Sequence, residues 1–378
     1  MSLLKLYDHF EMDIDRAEGI HIYTADGDKY LDTFSGIGVL SLGHSDKNLK
    51  QVFINKLERY THLSNFFIDK DAEYVAEKLI AFTGRKGKVF YSNSGTEANE
   101  AVLKTIRKIS DKEKCRIIFF DKGFHGRTTG TLSVTGFPKI RDCFNPLLQQ
   151  TVKLPFNDPD ALQNYLVKNN KKVAGIFVEA IQGSGGVVPL TDEFAAMINQ
   201  LHEKYNFTLV CDEIQAGLGR SGKMFSFQHF GLQPDLITVA KSLGGGLPLG
   251  AILFMGNYAD ILKPGEHGST FAPNPVSLAG ARYIVDNIQE MLSDINKKSD
   301  YFFQQIKALN CDKIMDIRGK GLMLAIELKQ KDDQLRKRAF EHKLLLNVIK
   351  GKIIRLLPAL NINFDEIDTI VTKIGEII

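Results

Sequence analysis

The chain has 378 residues, 44% of them hydrophobic and 25% charged, which is enough apolar mass to bury a large core beneath an ordinary hydrated surface. That balance excludes disordered, collagen-like and coiled-coil chains. Lys and Arg total 48 against 45 for Asp and Glu, so the net charge is only +3 and, with no basic tail, nucleic acid is not an expected partner.

Met1 to Gly19 carries acidic residues and no apolar signal block, and no later run approaches the roughly 20 apolar residues of a membrane span. No membrane association is expected, and the expected location is cytoplasmic. Cys115, Cys143, Cys211 and Cys311 are scattered, with neither a CxxC pair nor metal-ligand spacing to the histidines. A reduced compartment and the absence of a metal site follow from that pattern.

Residues 20–35 alternate apolar and polar on both sides of Asp26-Gly27, which predicts a hairpin in a small antiparallel sheet. From Ser45 the period becomes helical, with Leu49, Val52, Phe53, Leu57 and Tyr60 on one face, and a second helix ends near Gly84. Short apolar runs then alternate with helical stretches: Lys88–Ser92, Arg116–Asp121, Val173–Ala180, Thr208–Ile214, Asp235–Ala240 and Ala251–Met255. Near-continuous apolar strands are the mark of a buried parallel sheet. The Gly- and Pro-rich stretch between Ala240 and Ala251 is too short for a parallel crossover, so the last strand is expected to run antiparallel to its neighbour. Beyond Pro275 come long helical patterns, strand signals at Gly321–Leu328 and Lys352–Leu357, and a terminal helix from Phe364. The expected fold class is α/β: a large, mostly parallel-sheet domain over residues 46–275, with residues 276–378 in a smaller α+β domain.

Three segments carry chemistry. In Ser92-Asn93-Ser94-Gly95-Thr96-Glu97-Ala98 a strand runs through small hydroxyl residues into a helix. Free N–H groups and hydroxyls at such a start make a phosphate site, and the same residues also make an ordinary helix cap. In Leu209-Val210-Cys211-Asp212 an acid ends an apolar strand, where α/β sheets meet their ligands. A carboxylate there suits a magnesium ion, a protonated pyridine nitrogen or simply a neighbouring loop. In Leu236–Gly246 an apolar strand delivers Lys241 into a glycine-rich loop. A partly desolvated lysine loses preference for its charged form, as a Schiff-base lysine requires, although a strand-end lysine also snorkels to water in many proteins.

In this order the pieces resemble the class III pyridoxal-phosphate aminotransferases, and especially their acetylornithine branch. The carriers are Ser94-Gly95-Thr96-Glu97-Ala98-Asn99-Glu100, Phe124-His125-Gly126-Arg127-Thr128, Asp212-Glu213-Ile214-Gln215, Lys241, His267-Gly268-Ser269-Thr270-Phe271 and Ile354-Arg355-Leu356-Leu357-Pro358. Ser64-Asn65-Phe66-Phe67 is similar to a stretch of the acetylornithine branch. The resemblance covers nearly the whole chain. It implies the fold-type I architecture, with residues 1–45 as the N-terminal part of the small domain, and pyridoxal 5'-phosphate as cofactor.

The resemblance further implies that Lys241 carries the cofactor as an aldimine and shuttles a proton, while Asp212 pairs with the ring nitrogen. Gln215 would reach the phenolic oxygen, Phe124 would stack on the ring, and Ser94, Gly95 and Thr96 would hold the phosphate. Thr270 would reach that phosphate from the neighbouring subunit of a homodimer. Arg127 and Arg355 would bind substrate carboxylates through paired hydrogen bonds. Glu179 lies in the family's Glu-x-Ile-Gln-Gly signature, near the cofactor. The implied reaction is a ping-pong transfer of the terminal amino group of N-acetylornithine to 2-oxoglutarate, a step of arginine biosynthesis. N-succinylornithine, ornithine and 4-aminobutyrate are the alternative donors. Two places depart from the family pattern: Ser184 stands where most relatives have an acid facing the second arginine, and Ala272-Pro273 stands where they have Gly-Gly. A phosphate-binding nucleotide protein is the reading from another class, and the chain lacks its Gly-x-x-x-x-Gly-Lys-Ser/Thr pattern.

Overall fold

A computed structural model describes residues 2–378. Its central sheet has seven strands in the order Gly87–Ser92, Gly250–Met255, Leu236–Val239, Thr208–Asp212, Val173–Val178, Arg116–Phe120 and Thr151–Leu154. All point the same way except Gly250–Met255, which pairs antiparallel to both neighbours. The short connection after Val239 forces that reversal, as expected. The inner strands are apolar throughout because both faces are covered: every residue of Val173–Val178 and of Thr208–Asp212 is buried. Helix Gly95–Ile109 packs on one face through Ala98, Ala101, Val102 and Ile106.

Two four-stranded sheets accompany this core, besides a two-stranded ladder of Ile181–Gln182 with Val188–Pro189. Ile14–Glu18, His21–Thr24 and Lys29–Asp32 form an antiparallel meander that turns at Asp26-Gly27, and Leu31 and Asp32 then pair in parallel with Leu344 and Leu345. Ile314–Lys320, Met323–Leu328, Ile353–Leu356 and Asn347–Ile349 make the other. Besides the two-residue strands Ile181–Gln182, Val188–Pro189 and Leu344–Leu345, four longer strands lie outside the sequence reading: Ile14–Glu18, Thr151–Leu154, Ile314–Lys320 and Asn347–Ile349. Each is a sheet edge, most of whose residues are only partly buried or exposed, so none shows a long apolar run. Among the described residues no helix is long and apolar enough to cross a membrane.

The helix expected after Ser45 runs Lys47–Leu57 and is capped by Asp46, whose side chain accepts from Leu49 N. Its inner face differs from the expected one: Leu57 is exposed, Tyr60 lies beyond the helix, and Lys56 is buried beside Leu49. Lys56 Nζ stands 2.8 Å from Asp69 and 2.8 Å from Asp71. A paired charge thus takes an inner position that hydrophobic spacing alone assigns to an apolar side chain.

Between the meander and that helix, Ser35, Gly36, Ile37 and Gly38 all have positive φ, at 46°, 64°, 65° and 77°. A β-branched residue in this region costs on the order of 1–3 kcal/mol and persists only where its surroundings impose it. Asp32 does so from one side: its Oδ1 accepts from Phe34 N and Ser35 N at 3.0 Å each, and its Oδ2 lies 2.8 Å from His44 Nε2. From the other side, Thr33 Oγ1 donates to Leu345 O at 2.8 Å and Leu357 N donates to Thr33 O at 2.8 Å. The turn delivers Val39 to the cleft described next.

Candidate active site

Strands that run the same way bring their carboxyl ends to one edge of a sheet, and loop residues gather there. Ser94 follows Gly87–Ser92, Phe124 follows Arg116–Phe120, Glu179 follows Val173–Val178, Asp212 ends Thr208–Asp212, and Lys241 comes just after Leu236–Val239. With Val39, Gly95, Thr96, Arg127, Ser184 and Gln215 they line a cleft of about 460 Å³.

One end of the cleft is built for an anion. Ser94 caps helix Gly95–Ile109 by accepting from Glu97 N at 3.2 Å, and the N–H groups of Gly95 and Thr96 have no acceptor among the described residues. Free donors at a helix start attract phosphate. Gly126 (φ 141°) lies so close that a Cβ there would fall 2.2 Å from Thr96 Oγ1, which holds the Thr96 hydroxyl against the neighbouring loop. That hydroxyl is 2.8 Å from Thr131 Oγ1 and 3.1 Å from Thr128 Oγ1.

Asp212 is buried, with three hydrogen-bond partners. Its Oδ2 accepts from Asn99 Nδ2 at 2.9 Å and lies 2.8 Å from His125 Nδ1, and its Oδ1 accepts from Ile214 N at 3.0 Å. Burial opposes a charged imidazole, yet the hydrogen bond and charge of Asp212 prevail and the His125 pKa is raised. The carboxylate is therefore fixed by its three partners where a cationic ring nitrogen could meet it. The sequence reading gave neither Asn99 nor His125 a role. The available signal was a polar Asn on the apolar face formed by Ala98, Ala101 and Val102.

Lys241 has φ 48°, an uncommon conformation for a side-chain-bearing residue and one that concentrates at functional sites. Burial lowers its pKa to about 8 against the opposing pull of Asp212 and Glu179. A neutral amine is thereby accessible near neutral pH, as a nucleophile requires. Burial likewise raises the Glu179 carboxyl to about 7, with Asp212 adding to the rise and His125 working against it. Glu179 Oε2 accepts from Phe124 N at 2.8 Å, which sets the base of the loop carrying the Phe124 ring.

Not every expected residue reaches the cleft wall. Arg127 does, from an exposed loop, with its guanidinium carbon 5.7 Å from the centre of the Phe124 ring. Arg355 is buried behind Gln215: its Nη1 donates to Gln215 Oε1 at 3.2 Å and its Nε to Asn347 Oδ1 at 3.1 Å. Burial lowers its pKa to about 10, with Glu179 opposing. Thr270 is exposed and stands off the cleft within this single chain. Ser184 lines the cleft and brings no charge to it.

The residues present fit pyridoxal phosphate: donors for a phosphate, an aromatic ring beside a slot, a fixed carboxylate and a desolvated lysine. The comparisons agree. The family model described as "Aminotransferase class-III" matches residues 4–378. The acetylornithine aminotransferase of Aquifex aeolicus is 38% identical over 379 residues, covering 100% of this chain and 99% of its own. The succinylornithine transaminase of Photorhabdus laumondii is 37% identical over 93% of this chain and 90% of its own. The crystal structure of the acetylornithine aminotransferase from Elizabethkingia anophelis superposes with a TM-score of 0.87 at 29% identity, covering 99% of this chain and 95% of that one. A match of that extent, on a cleft whose groups suit the cofactor, makes the chain a member of the class-III aminotransferases, the pyridoxal-phosphate-dependent transaminases.

Proposed function

We propose that this transaminase moves the terminal amino group of N-acetylornithine to 2-oxoglutarate in a ping-pong cycle, which would place it in arginine biosynthesis. The observation that carries the reading is end-to-end similarity to proteins named acetylornithine aminotransferase, at 34 to 38% identity. The Photorhabdus relative favours N-succinylornithine as the second donor to test.

Bound pyridoxal phosphate supplies an electron sink for the carbon that loses its proton. The chain's part is to bind, orient and move that proton. Asp212, steadied by His125, Asn99 and Ile214 N, keeps a proton on the ring nitrogen. Lys241 Nζ would take up and hold the proton from the substrate carbon that bears the amino group, a task suited to an amine whose pKa burial lowers to about 8. Ser94, Gly95 and Thr96 would hold the phosphate, Phe124 would cover the ring and Gln215 would serve the phenolic oxygen. Arg127 and Arg355 supply the guanidinium groups for substrate carboxylates.

The active unit in this reading is a cytoplasmic homodimer in which Thr270 of one subunit serves the phosphate of the other. Exposed Phe66, Phe67, Ile68 and Phe271 support that assembly. They sit on two loops tied together by Asn65 Nδ2 donating to Ser269 O at 2.6 Å and Asn274 Nδ2 donating to Thr61 O at 3.0 Å. We also read residues 46–275 as the large domain and residues 1–45 with 276–378 as the small one, supported by the pairing of Leu31 and Asp32 with Leu344 and Leu345.

The test is a half-reaction panel. Purified holoenzyme is mixed with N-acetylornithine, N-succinylornithine, ornithine or 4-aminobutyrate, the decay of visible absorbance is followed, and 2-oxoglutarate is added to restore it. Fastest decay with N-acetylornithine is expected, and a faster free amine would overturn the donor assignment.

A further inference from the structure

Two apolar stretches near the end of the chain each carry one polar interruption. Leu344 to Ile349 is apolar except for Asn347, and Ile353 to Leu357 is apolar except for Arg355. The antiparallel pairing of Asn347–Ile349 with Ile353–Leu356 sets these two residues directly opposite each other. In that register Arg355 Nε donates to Asn347 Oδ1 at 3.1 Å. Its Nη1 donates to Gln215 Oε1 at 3.2 Å, and Gln215 is itself confined, because a Cβ on Gly183 would lie 1.8 Å from the same oxygen.

A buried guanidinium ordinarily has a carboxylate beside it. Arg355 forms no ion pair with any carboxylate among the described residues, and its Nη2 has no hydrogen-bond partner there. Both of its acceptors are neutral amide oxygens. An amide oxygen fixes the direction of a guanidinium without cancelling its charge, whereas a carboxylate would do both.

We propose that Asn347 is a positioning residue for Arg355: with Gln215 it forms a neutral brace that aims the guanidinium at the carboxylate of an incoming substrate and leaves it without an ion-paired acid. The inference rests on the reading of Arg355 as a carboxylate site in an enzyme whose acceptor is a dicarboxylate. In a chain with Ser184 at the cleft wall, the brace also removes the need to break an ion pair before that carboxylate binds.

The test uses holoenzyme and glutarate, a dicarboxylate that cannot react. Its dissociation constant is measured by calorimetry for wild type, Asn347→Ala and Asn347→Asp, with the visible cofactor absorbance as a check that the site is intact. Asn347→Ala is expected to weaken glutarate about tenfold, the loss of one hydrogen bond to a charged group, with the change in steady state falling on KM for 2-oxoglutarate more than on kcat. Asn347→Asp keeps an acceptor for Nε but neutralises Arg355, so it should weaken glutarate at least as much, while binding of propylamine, which has no carboxylate, stays as in wild type. If Asp restored wild-type affinity where Ala lost it, the oxygen alone would matter and the requirement for neutrality would be overturned. Equal glutarate binding by all three proteins would overturn the brace and leave the acceptor assignment standing. Failure of wild type to bind glutarate would overturn the acceptor assignment, and the brace with it.

Discussion

His125 Nδ1 lies 2.8 Å from Asp212 Oδ2, and both side chains are buried. The imidazole thus contributes a hydrogen bond to the carboxylate, and Asn99 Nδ2 contributes another to the same oxygen.

Replacing His125 with Leu keeps most of the volume and removes one partner of a buried carboxylate. Loss of such a partner costs about 1–3 kcal/mol, so binding of pyridoxal phosphate to the apoprotein should weaken by about tenfold or more. Titration of the apoprotein, followed by absorbance, measures it. Unchanged affinity would mean that Asn99 and the Ile214 N–H hold Asp212 without help.

Lys241→Ala should lower transamination by about three orders of magnitude or more, because covalent attachment and proton transfer fail together. Borohydride treatment followed by mass measurement should find cofactor fixed to wild type and none to the variant. Fixation at an equal level in the variant would remove Lys241 from the reaction.

The pH dependence of attachment follows from the same side chain. Burial lowers the Lys241 pKa from its ordinary value to about 8, so the neutral, nucleophilic fraction falls about tenfold for each pH unit below that point and is nearly complete above it. The rate at which apoprotein takes up pyridoxal phosphate should therefore climb from pH 6 to about 8 and then level off. A rate still climbing past pH 10 would show a lysine that is not desolvated.

Ser184→Glu should set an acid at the cleft wall, which in the family pattern faces Arg355. The new carboxylate competes with that of the substrate, so kcat/KM for 2-oxoglutarate should fall about tenfold while that for the acylated diamine holds or rises. Equal changes in both would mean that the new acid does not reach Arg355.

Lys56→Met addresses stability alone. It leaves Asp69 buried without its cation and Asp71 with only Arg282, whose Nη1 is 3.0 Å away. Breaking a buried pair by removing one partner costs about 3–5 kcal/mol, which thermal unfolding would register as a clear drop in Tm. A variant as stable as wild type would show that the charges relax into water.

The residues legible in the sequence share one property: each stands at the end of an apolar run, so a local pattern marks it. Ser94, Asp212 and Lys241 are of this kind, and so is the reversed strand after the glycine-rich loop. What escaped depends on distance along the chain. Asn99 and His125 meet Asp212 across separations of 113 and 87 residues, and no local spacing announces such a contact. Asn347 acquires meaning only through strand register, which places it opposite Arg355. Lys56 shows the opposite failure, since a helical period read as apolar placed Leu57 inside, whereas two aspartates from the next segment draw the lysine in.

The bond from Thr33 Oγ1 to Leu345 O joins residues 312 positions apart. At about 5–20 residues per second of synthesis, the early partner waits roughly 15 to 60 s for the late one to leave the ribosome. Until then nothing in the nascent chain can anchor the left-handed turn from that side, and Val39 has no fixed place at the cleft. The cleft is therefore completed late, and a ribosome stalled just before Leu345 holds a chain with its central sheet translated and one wall of its cleft unfinished.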